Sequence, residues 1–411
     1  MRILFVPHAY YPSRGGVQWL IQSLAERLAW AGDQIDVFTT DAYSCELFID
    51  ACQPRLPAGE ITLNGVRVRR FPVFNRFTRL RLNAARIAYK LRLPGQDVVR
   101  GLYFGPIVRG LRQAIVNQPA DVIVAASFPM IHMYEALAAG RLSGRPVIFI
   151  GTVHPTDRWS YDLPRMYHAI EQAQAYVALS TYERDFLAAR CAGARIEVIG
   201  GGVDTHALDA RQAGVSLRRR YGWRDDELVI GMIGRMTAYK RADVMLAAMP
   251  LIWQALPTAR LLLAGAGAQQ AASLRAAIQS LSHPERVSVL ADFDETDKAA
   301  IFSTADLIVH LSDRESFGIV IVEGWAAGKP VIGVQNSASA SVITDGEDGL
   351  LVRYGDPADL AHAVVKLGSS SELRQALGYA GQLKARHLYD WNVVVPRYRA
   401  LFSALTEGKR G

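Results

Sequence analysis

Cysteine is scarce in this chain of 411 residues. Only Cys45, Cys52 and Cys191 are present, and no two of them form a CxxC pair. An odd number of widely spaced cysteines argues against a disulfide scaffold and indicates a reducing compartment. Long hydrophobic runs are also missing, and the apolar stretch before Pro7 is too short for a signal peptide. The sequence therefore predicts a cytoplasmic protein without a membrane-spanning helix.

Acidic residues are nearly absent from residues 66–112. This segment carries twelve Lys or Arg against the single acid Asp97, a net charge of +11, whereas the rest of the chain carries −4. Apolar side chains interleave with the cations, which is typical of a surface that contacts anionic membranes or a lipid-linked acceptor. Two alternatives remain: a soluble anionic acceptor, or basic side chains whose stems cover a helix pair. A basic nucleic-acid-binding protein is the alternative from another class, but the segment lacks an RNP, KH or zinc-finger pattern, so no nucleic-acid partner is expected.

Short apolar segments of strand length alternate with helical patterns along the chain, and the series starts again after residue 205. The predicted strands are 2–6, 121–127, 145–154, 175–180, 228–236, 259–267, 287–293, 306–312 and 330–334. Continuous apolar strands between helices predict parallel sheets covered on both faces. The fold class is therefore α/β, with two tandem doubly wound, Rossmann-like domains and a ligand cleft at the carboxyl ends of their strands.

The predicted domain boundary lies in the glycine-containing segment 200–208. Residues 1–205 form the N-terminal domain, and residues 206–390 form the C-terminal domain. The stretch from about 391 to 411 follows the second domain.

Two glutamates, Glu315 and Glu323, stand eight residues apart in the otherwise apolar segment 314–330. We expect Ser316 to cap a helix over 317–327. The first backbone N–H groups of that helix, at Phe317, Gly318 and Ile319, would favour a phosphate. Glu323 returns to nearly the same helix face, where its carboxylate can accept from both ribose hydroxyls. Taken alone, such a pair is more often a solvated acid and a glutamate at a helix edge.

Two cations precede this segment. Arg235 and Lys240 follow the first predicted strand of the second domain, and a guanidinium fork with an ammonium suits a diphosphate. A solvated loop is the alternative. The Asp292-Phe293-Asp294 triplet is predicted to be a turn and not a metal site, and Gly265-Ala-Gly267 is an incomplete dinucleotide-binding motif.

Together these motifs resemble glycosyltransferase family 4, whose two-Rossmann architecture is called GT-B. The resemblance rests on five motifs in family order: Gly15-Gly16 after the first strand, Gly202-Val203-Asp204, Gly234-Arg235 with Lys240, Glu315-Ser-Phe-Gly318 with Glu323, and the 345–352 turn. It implies a retaining transferase that moves a sugar from a UDP- or GDP-sugar to a glycan or lipid-linked acceptor. It also implies that residues 1–205 are the acceptor side, that residues 206–390 bind the nucleotide sugar, and that the stretch from about 391 to 411 packs back onto the first domain as a helix. Neither a cofactor nor a metal is implied.

The resemblance also implies roles for individual residues. Arg235 and Lys240 neutralise the donor diphosphate, Glu323 holds the ribose, and Glu315 with the Phe317–Gly318 backbone meets the donor sugar. Ile319 is included among the donor-binding residues. The glycine turn at Gly15 and Gly16 donates a backbone N–H to the phosphate. His154, at the end of a predicted strand, is the active-site histidine. His8 and His310 stand at similar strand ends, so only family position favours His154.

One departure from the family pattern limits what carries over. The loop at 337–341 replaces a glycine-rich segment of many relatives, so the donor sugar and its base are not transferred from the family. A nucleotide-sugar epimerase of the same architecture is the enzymatic alternative.

Overall fold

The computed structural model describes residues 1–13, 15–208, 217–265 and 268–407, and side chains 268–271 are left out of the description. The chain divides into two compact units. The N-terminal unit comprises Met1–Gly200 with Val395–Gly411, and the second unit comprises Gly201–Val394. The first unit thus ends at residue 200, five residues before the predicted boundary at 205. The chain returns to it at residue 395, four residues after the predicted position of 391.

The N-terminal unit is built on an eight-stranded sheet. Its strands are β1 Arg2–Pro7, β2 Gln34–Thr40, β3 Gly59–Leu63, β4 Val66–Phe71, β5 Val122–Ala126, β6 Val147–Ile150, β7 Ala175–Ala178 and β8 Ile196–Val198. Their order is β3-β4-β2-β1-β5-β6-β7-β8, and all neighbours are parallel except the β3–β4 pair. The strand order changes direction at β1, so its carboxyl end is a switch point where ligands are expected.

Helices accompany this sheet, and its central strands are buried. These helices are Gly16–Trp30, Thr78–Lys90, Gln96–Phe104, Leu111–Asn117, Ile131–Ser143, Arg158–Tyr161, Pro164–Gln172, Thr181–Ala188 and Trp391–Glu407. The last of these corresponds to the predicted C-terminal helix, and within the first unit its Phe402 ring lies 6.4 Å from that of Phe5. Residues 408–411 of that prediction lie outside the described residues.

The second unit contains a six-stranded, fully parallel sheet. Its strands are β9 Val229–Ile233, β10 Arg260–Gly265, β11 Val287–Ala291, β12 Leu307–Val309, β13 Val331–Val334 and β14 Gly349–Val352. The order is β11-β10-β9-β12-β13-β14, so this sheet reverses direction between β9 and β12. Ile230 pairs with Leu307 across that junction. The carboxyl ends of these two strands are the predicted ligand position.

The helices of the second unit alternate with its strands. They are Ala242–Ala255, Ala268–Gln279, Lys298–Thr304, Ile319–Ala326, Ala338–Val342, Pro357–Gly368 and Ser371–Lys384. A core of apolar side chains from the sheet and the covering helices, such as Ile230, Met249 and Val364, is almost completely buried. Within the described residues, no helix is both long and apolar enough to cross a bilayer.

The structure confirms two Rossmann-like α/β units but shortens several predicted strands. The sequence 145–154 forms a strand only at Val147–Ile150, and 306–312 only at Leu307–Val309. In the basic segment, the pattern VRVRRF forms β4, with Val66 and Val68 buried and Arg67 and Arg69 exposed. Such alternation is typical of a half-buried strand. This strand was not predicted, because the segment was analysed by its net charge and not by its hydrophobic pattern. Gly267, in the incomplete glycine motif, lies outside the described residues.

Candidate active site

The loop after β9 carries both predicted phosphate-binding cations. Gly234 takes a positive φ of 141°, and its N–H donates to the carbonyl oxygen of Ala264. The chain then turns through a short helical segment, Ala238–Lys240, before the Ala242–Ala255 helix. Arg235 is exposed and donates to the hydroxyl of Tyr239 at 2.5 Å. The loop therefore presents its guanidinium at the carboxyl end of β9.

Lys240 and Glu315 meet although 75 residues separate them in sequence. The Lys240 Nζ atom donates to Glu315 Oε1, and the two side chains are only 16% and 19% exposed. This ion pair joins the β9 loop to the β12 loop at the point where the sheet reverses direction. The structure therefore brings together two residues that the sequence placed in one site.

The helix after Glu315 begins later than predicted. It spans Ile319–Ala326, with Gly318 as its N-cap in the left-handed conformation, φ 87°. The prediction that Ser316 caps a helix starting at 317 is wrong, because the left-handed turn at Gly318 redirects the chain before the helix begins. The unpaired N–H groups of the first turn consequently start at Ile319 and not at Phe317. Phe317 is 4% exposed, and its ring packs 5.4 Å from that of Tyr389.

His310 joins this site, although the sequence gave it no role there. It follows β12, is 2% exposed, and its Nε2 atom lies 4.0 Å from Glu315 Oε1. Burial, and secondarily the positive charge of Lys240, lower the pKa of His310 to about 4, with Glu315 opposing them. The imidazole is therefore neutral at pH 7, and within the described part of the chain its Nε2 atom has no hydrogen-bond partner.

A cavity of about 490 Å³ opens beside this cluster. Gly234, Arg235, Lys240 and His310 line it, together with apolar residues such as Leu263. A concave apolar site with a few convergent polar groups is the usual form of a small-molecule pocket. Its cations give it the electrostatics of an anion site.

Glu323 is buried in the Ile319–Ala326 helix and is 2% exposed. Its Oε1 atom lies 2.6 Å from Lys298 Nζ, and Lys298 also lies 2.7 Å from Glu295. Lys298 begins the helix after β11 and was not a predicted site residue. Its distance of 25 residues from Glu323 and its ordinary local sequence gave no indication of the contact.

His154 lies in the N-terminal unit, four residues beyond the end of β6 and not at the strand end as predicted. The strand stops at Ile150 because the following segment turns, with Thr152 at φ 100°. The His154 ring stacks on Tyr161, with 5.1 Å between ring centroids and 18° between the planes. Aromatic stacking on one side fixes the orientation of the imidazole.

Glu183 holds the segment that leads to His154. Its buried carboxylate accepts hydrogen bonds from the backbone N–H groups of Thr152, Val153 and Leu179, each at 2.8 Å, and from the Tyr176 hydroxyl at 2.6 Å. Burial raises the pKa of Glu183 from 4.5 to about 7, although these four hydrogen bonds oppose the shift. A carboxylate in this position fixes the backbone immediately before His154.

This pKa predicts a pH-dependent stability for the N-terminal unit. Because the folded-state pKa exceeds the unfolded one, the contribution of Glu183 to unfolding free energy is complete below pH 4.5 and is lost as the pH rises through about 7. The loss amounts to about 3 kcal/mol at most. Urea denaturation of wild type and Glu183→Gln at pH 5 and pH 8 measures it. Wild type should lose stability relative to the variant at the higher pH, and an unchanged difference would contradict the assignment.

The glycine turn before the first helix has room for a ligand. The helix begins at Gly16 with Gly15 as its N-cap, and no side chain caps it. Among the described residues, a Cβ atom added at Gly16 would contact nothing within 4 Å, and one at Gly15 would meet the flexible side chain of Gln18. The protein itself therefore does not require glycine at position 16.

Comparisons with known proteins show the family of the chain. The sequence matches the family described as Glycosyltransferase Family 4 over residues 14–207 and the family described as Glycosyl transferases group 1 over residues 216–384. The chain belongs to glycosyltransferase family 4. The two matches together leave only the junction and the ends of the chain outside.

Among curated relatives, this glycosyltransferase is 35% identical over 173 residues to a phosphatidyl-myo-inositol mannosyltransferase of Mycobacterium leprae, covering 42% of the chain and 45% of the relative. It is 31% identical over 234 residues to a D-inositol 3-phosphate glycosyltransferase of Mycobacterium marinum, covering 53% and 47%. The matched segments thus span about half the length of these relatives.

A solved structure shares the whole architecture. The Anabaena protein Alr3699/HepE, in complex with UDP and glucose, superposes with a TM-score of 0.73 at 18% identity, covering 98% of this glycosyltransferase and 100% of that chain. At this identity the likeness establishes the fold alone. It confirms the predicted GT-B architecture.

The basic segment of this glycosyltransferase is less uniformly exposed than its charge suggested. Arg70 and Arg100 are buried, and Arg81 donates to the carbonyl oxygens of Leu102 and Phe48. Arg100 lies between the rings of Tyr89 and Trp159 at 4.8 and 4.9 Å. Two further cations, Arg67 and Arg112, pair with Asp36 and Glu135. Arg69 also lies 3.6 Å from Glu60, so six of the twelve cations of this segment have structural partners or are buried.

Several of the remaining exposed cations lie on or beside the Thr78–Lys90 helix. We call this the basic helix surface and define it by its exposed cations and apolar residues, which alternate as neighbours in sequence: Arg76, Phe77, Arg79, Leu80, Arg86, Ile87, Lys90 and Leu91. Phe77, Leu80, Ile87 and Leu91 are each more than half exposed, at 70%, 68%, 56% and 62%. An exposed apolar row flanked by cations is unusual for a surface that contacts only water.

Among the described residues, no group of three or more His, Cys, Asp or Glu side chains is arranged to hold a metal ion. Asp292 follows β11 with φ 54°, and Asp294 precedes the short helical turn Glu295–Asp297. The triplet thus occupies a turn, as the sequence predicted.

Proposed function

We propose that this glycosyltransferase transfers a sugar from a UDP- or GDP-sugar to a glycan or lipid-linked acceptor, with retention of anomeric configuration and without a metal ion. The observation that carries the proposal is the Lys240–Glu315 ion pair at the reversal point of the second sheet, beside Arg235 and the neutral His310. The complex of a structural neighbour with UDP supports the donor class.

The chemistry follows from the charges. The leaving group is a nucleoside diphosphate, so the main catalytic task is to stabilise the negative charge that grows on its phosphate. Lys240 and Arg235 supply two cations, and the first turn of the Ile319–Ala326 helix supplies N–H donors and the positive end of its dipole. A diphosphate that binds there replaces Glu315 as the partner of Lys240. The carboxylate of Glu315 is then released to accept hydrogen bonds from the hydroxyls of the donor sugar.

The donor ribose is assigned to Glu323. Its carboxylate accepts hydrogen bonds and cannot donate them, which suits two neighbouring hydroxyls. His154 is assigned to the reaction as a hydrogen-bonding group for the donor sugar. Its stacking on Tyr161 and the Glu183 contacts to Thr152 and Val153 fix its position.

The stereochemistry and the acceptor are tested together by proton NMR. UDP-glucose, UDP-N-acetylglucosamine and GDP-mannose, all α-linked donors, are each incubated in EDTA with phosphatidylinositol vesicles or inositol 3-phosphate, the acceptor types that the relatives' names suggest. The proposal predicts an α-linked product from one donor. A β-linked product would exclude retention, and a new donor sugar formed without acceptor would identify an epimerase instead.

We further propose that the basic helix surface docks on anionic membranes, where a lipid-linked acceptor resides. Each cation near an anionic surface contributes about 1 kcal/mol, and the attraction is screened within a Debye length. The exposed apolar neighbours of these cations can enter the headgroup region. This places the enzyme at the cytoplasmic face of a membrane as a peripheral protein.

Co-sedimentation with vesicles measures this docking. We expect wild type to pellet with phosphatidylglycerol vesicles at low salt, but neither at high salt nor with phosphatidylcholine. Binding should be lost when four surface cations are changed together to Ser: Arg76, Arg79, Arg86 and Lys90. A matched variant should still pellet, with four cations changed elsewhere on the same unit: Arg141, Arg184, Arg190 and Arg195. Wild type that stays in the supernatant with both lipids would refute docking.

A further inference from the structure

The buried carboxylate of Glu323 has a cationic partner from another part of the sheet. Lys298 stands at the start of the Lys298–Thr304 helix, after β11, whereas Glu323 stands in the helix after β12. The two strands are separated in the sheet by β10 and β9. The 2.6 Å contact therefore joins the helix that follows β11 to the helix that follows β12.

Each residue of the Lys298–Glu323 pair has a further restraint. Lys298 is 18% exposed and lies 2.7 Å from Glu295, in the turn just before its helix, while the Glu323 side chain is only 3% exposed. Burial alone would lower the pKa of Lys298, but the negative charges of Glu323 and Glu295 outweigh burial and raise it. Lys298 is thus a permanent cation. Its contact leaves the Glu323 carboxylate little freedom to rotate.

We propose that Lys298 is a positioning residue that makes this enzyme select ribonucleotide over deoxyribonucleotide donors. The inference rests on the proposed function, in which Glu323 receives the ribose hydroxyls. A carboxylate that is fixed by an ion pair can accept hydrogen bonds from two hydroxyls in only one orientation. When a nucleotide lacks the 2′ hydroxyl, one of the acceptor positions of the buried carboxylate is left without a hydrogen bond. Buried groups left without their hydrogen bonds are the strongest source of discrimination between similar ligands.

Removal of the ammonium frees the carboxylate. In Lys298→Met, Glu323 can rotate and its charge is no longer balanced, so it loses its fixed geometry towards the ribose. Ribonucleotide affinity should fall about tenfold, while deoxyribonucleotide affinity changes little, because the contact that distinguishes them has gone. A role in folding alone would weaken both nucleotides equally.

The test is calorimetry with UDP, dUDP, GDP and dGDP on the full chain. Wild type should bind the ribonucleotide of one pair at least about tenfold more tightly than its deoxy form. Lys298→Met and the neutral, more polar Lys298→Gln should lose most of that ratio. Lys329→Met should keep it, because the Lys329 ammonium donates to the Ser303 carbonyl oxygen.

The outcomes separate the inference from the proposed function. Wild type that binds the ribo and deoxy forms equally, or Lys298 variants that keep the wild-type ratio, would overturn the role of Lys298 while leaving the donor class intact. An equal loss for both forms would also overturn it. If none of the four nucleotides binds wild type, the donor assignment itself fails and the inference fails with it.

Discussion

Lys240→Ala is expected to lower kcat by about a hundredfold or more, with a smaller change in the KM for the donor. The ammonium meets negative charge that is largest in the transition state, so its removal affects turnover more than binding. The variant also leaves the Glu315 carboxylate without its ion-pair partner, at a position where that side chain is only 19% exposed. Steady-state kinetics with the donor identified by NMR measures both constants.

Two controls accompany this variant. Lys240→Arg keeps the charge and should retain more activity than Lys240→Ala. Lys366→Ala removes an exposed lysine from the Pro357–Gly368 helix and should match wild type. A kcat for Lys240→Ala within about threefold of wild type, in a variant that remains folded, would remove Lys240 from the reaction.

Gly265→Ala is expected to damage the site through its backbone. Gly265 ends β10, and a Cβ atom there would lie 1.5 Å from the carbonyl oxygen of Gly234 and 2.5 Å from its carbonyl carbon. Backbone cannot move aside as a side chain can, so the loop that carries Arg235 and Lys240 must shift. We expect a loss of about 3 kcal/mol or more in the unfolding free energy of the second unit, and loss of activity in whatever remains folded.

Gly193→Ala is the matched control for this substitution. A Cβ atom at Gly193 contacts nothing within 4 Å, so that variant should keep wild-type stability. Chemical denaturation of the three proteins gives the comparison. Equal midpoints for wild type and Gly265→Ala would show that the close approach of β10 to the Gly234 loop is not maintained in solution.

The sequence predicted the architecture well because its strongest pattern is hydrophobic. Buried parallel strands such as Val122–Ala126 and Val229–Ile233 are continuous apolar runs, which are recognisable without neighbours. The edge strand β8 and the strand β4, which lies next to the edge strand β3, were missed for the same reason. Ile196–Val198 is short and only partly buried, and β4 alternates with arginine, so neither resembles a buried run.

The candidate site was predicted in part. Arg235, Lys240 and Glu315 stand in recognisable motifs at strand ends, and the structure brings Lys240 and Glu315 together. His310 and Lys298 lie outside any motif, because their contacts depend on which strand ends become neighbours when the sheet forms. The start of the Ile319–Ala326 helix was misplaced because the left-handed conformation of Gly318 is a backbone choice that composition does not reveal.

The proposed reaction depends most on Arg235 and Lys240, which we expect to bind the diphosphate of the donor without a metal ion. The most direct measurement is calorimetric titration of UDP and GDP, in EDTA, into wild type and into the Arg235→Ala, Lys240→Ala double variant. We predict that one nucleotide binds wild type and that the double variant binds it at least about tenfold more weakly. Equal affinities for the two proteins, or binding to wild type only after Mg²⁺ or Mn²⁺ is added, would contradict the account.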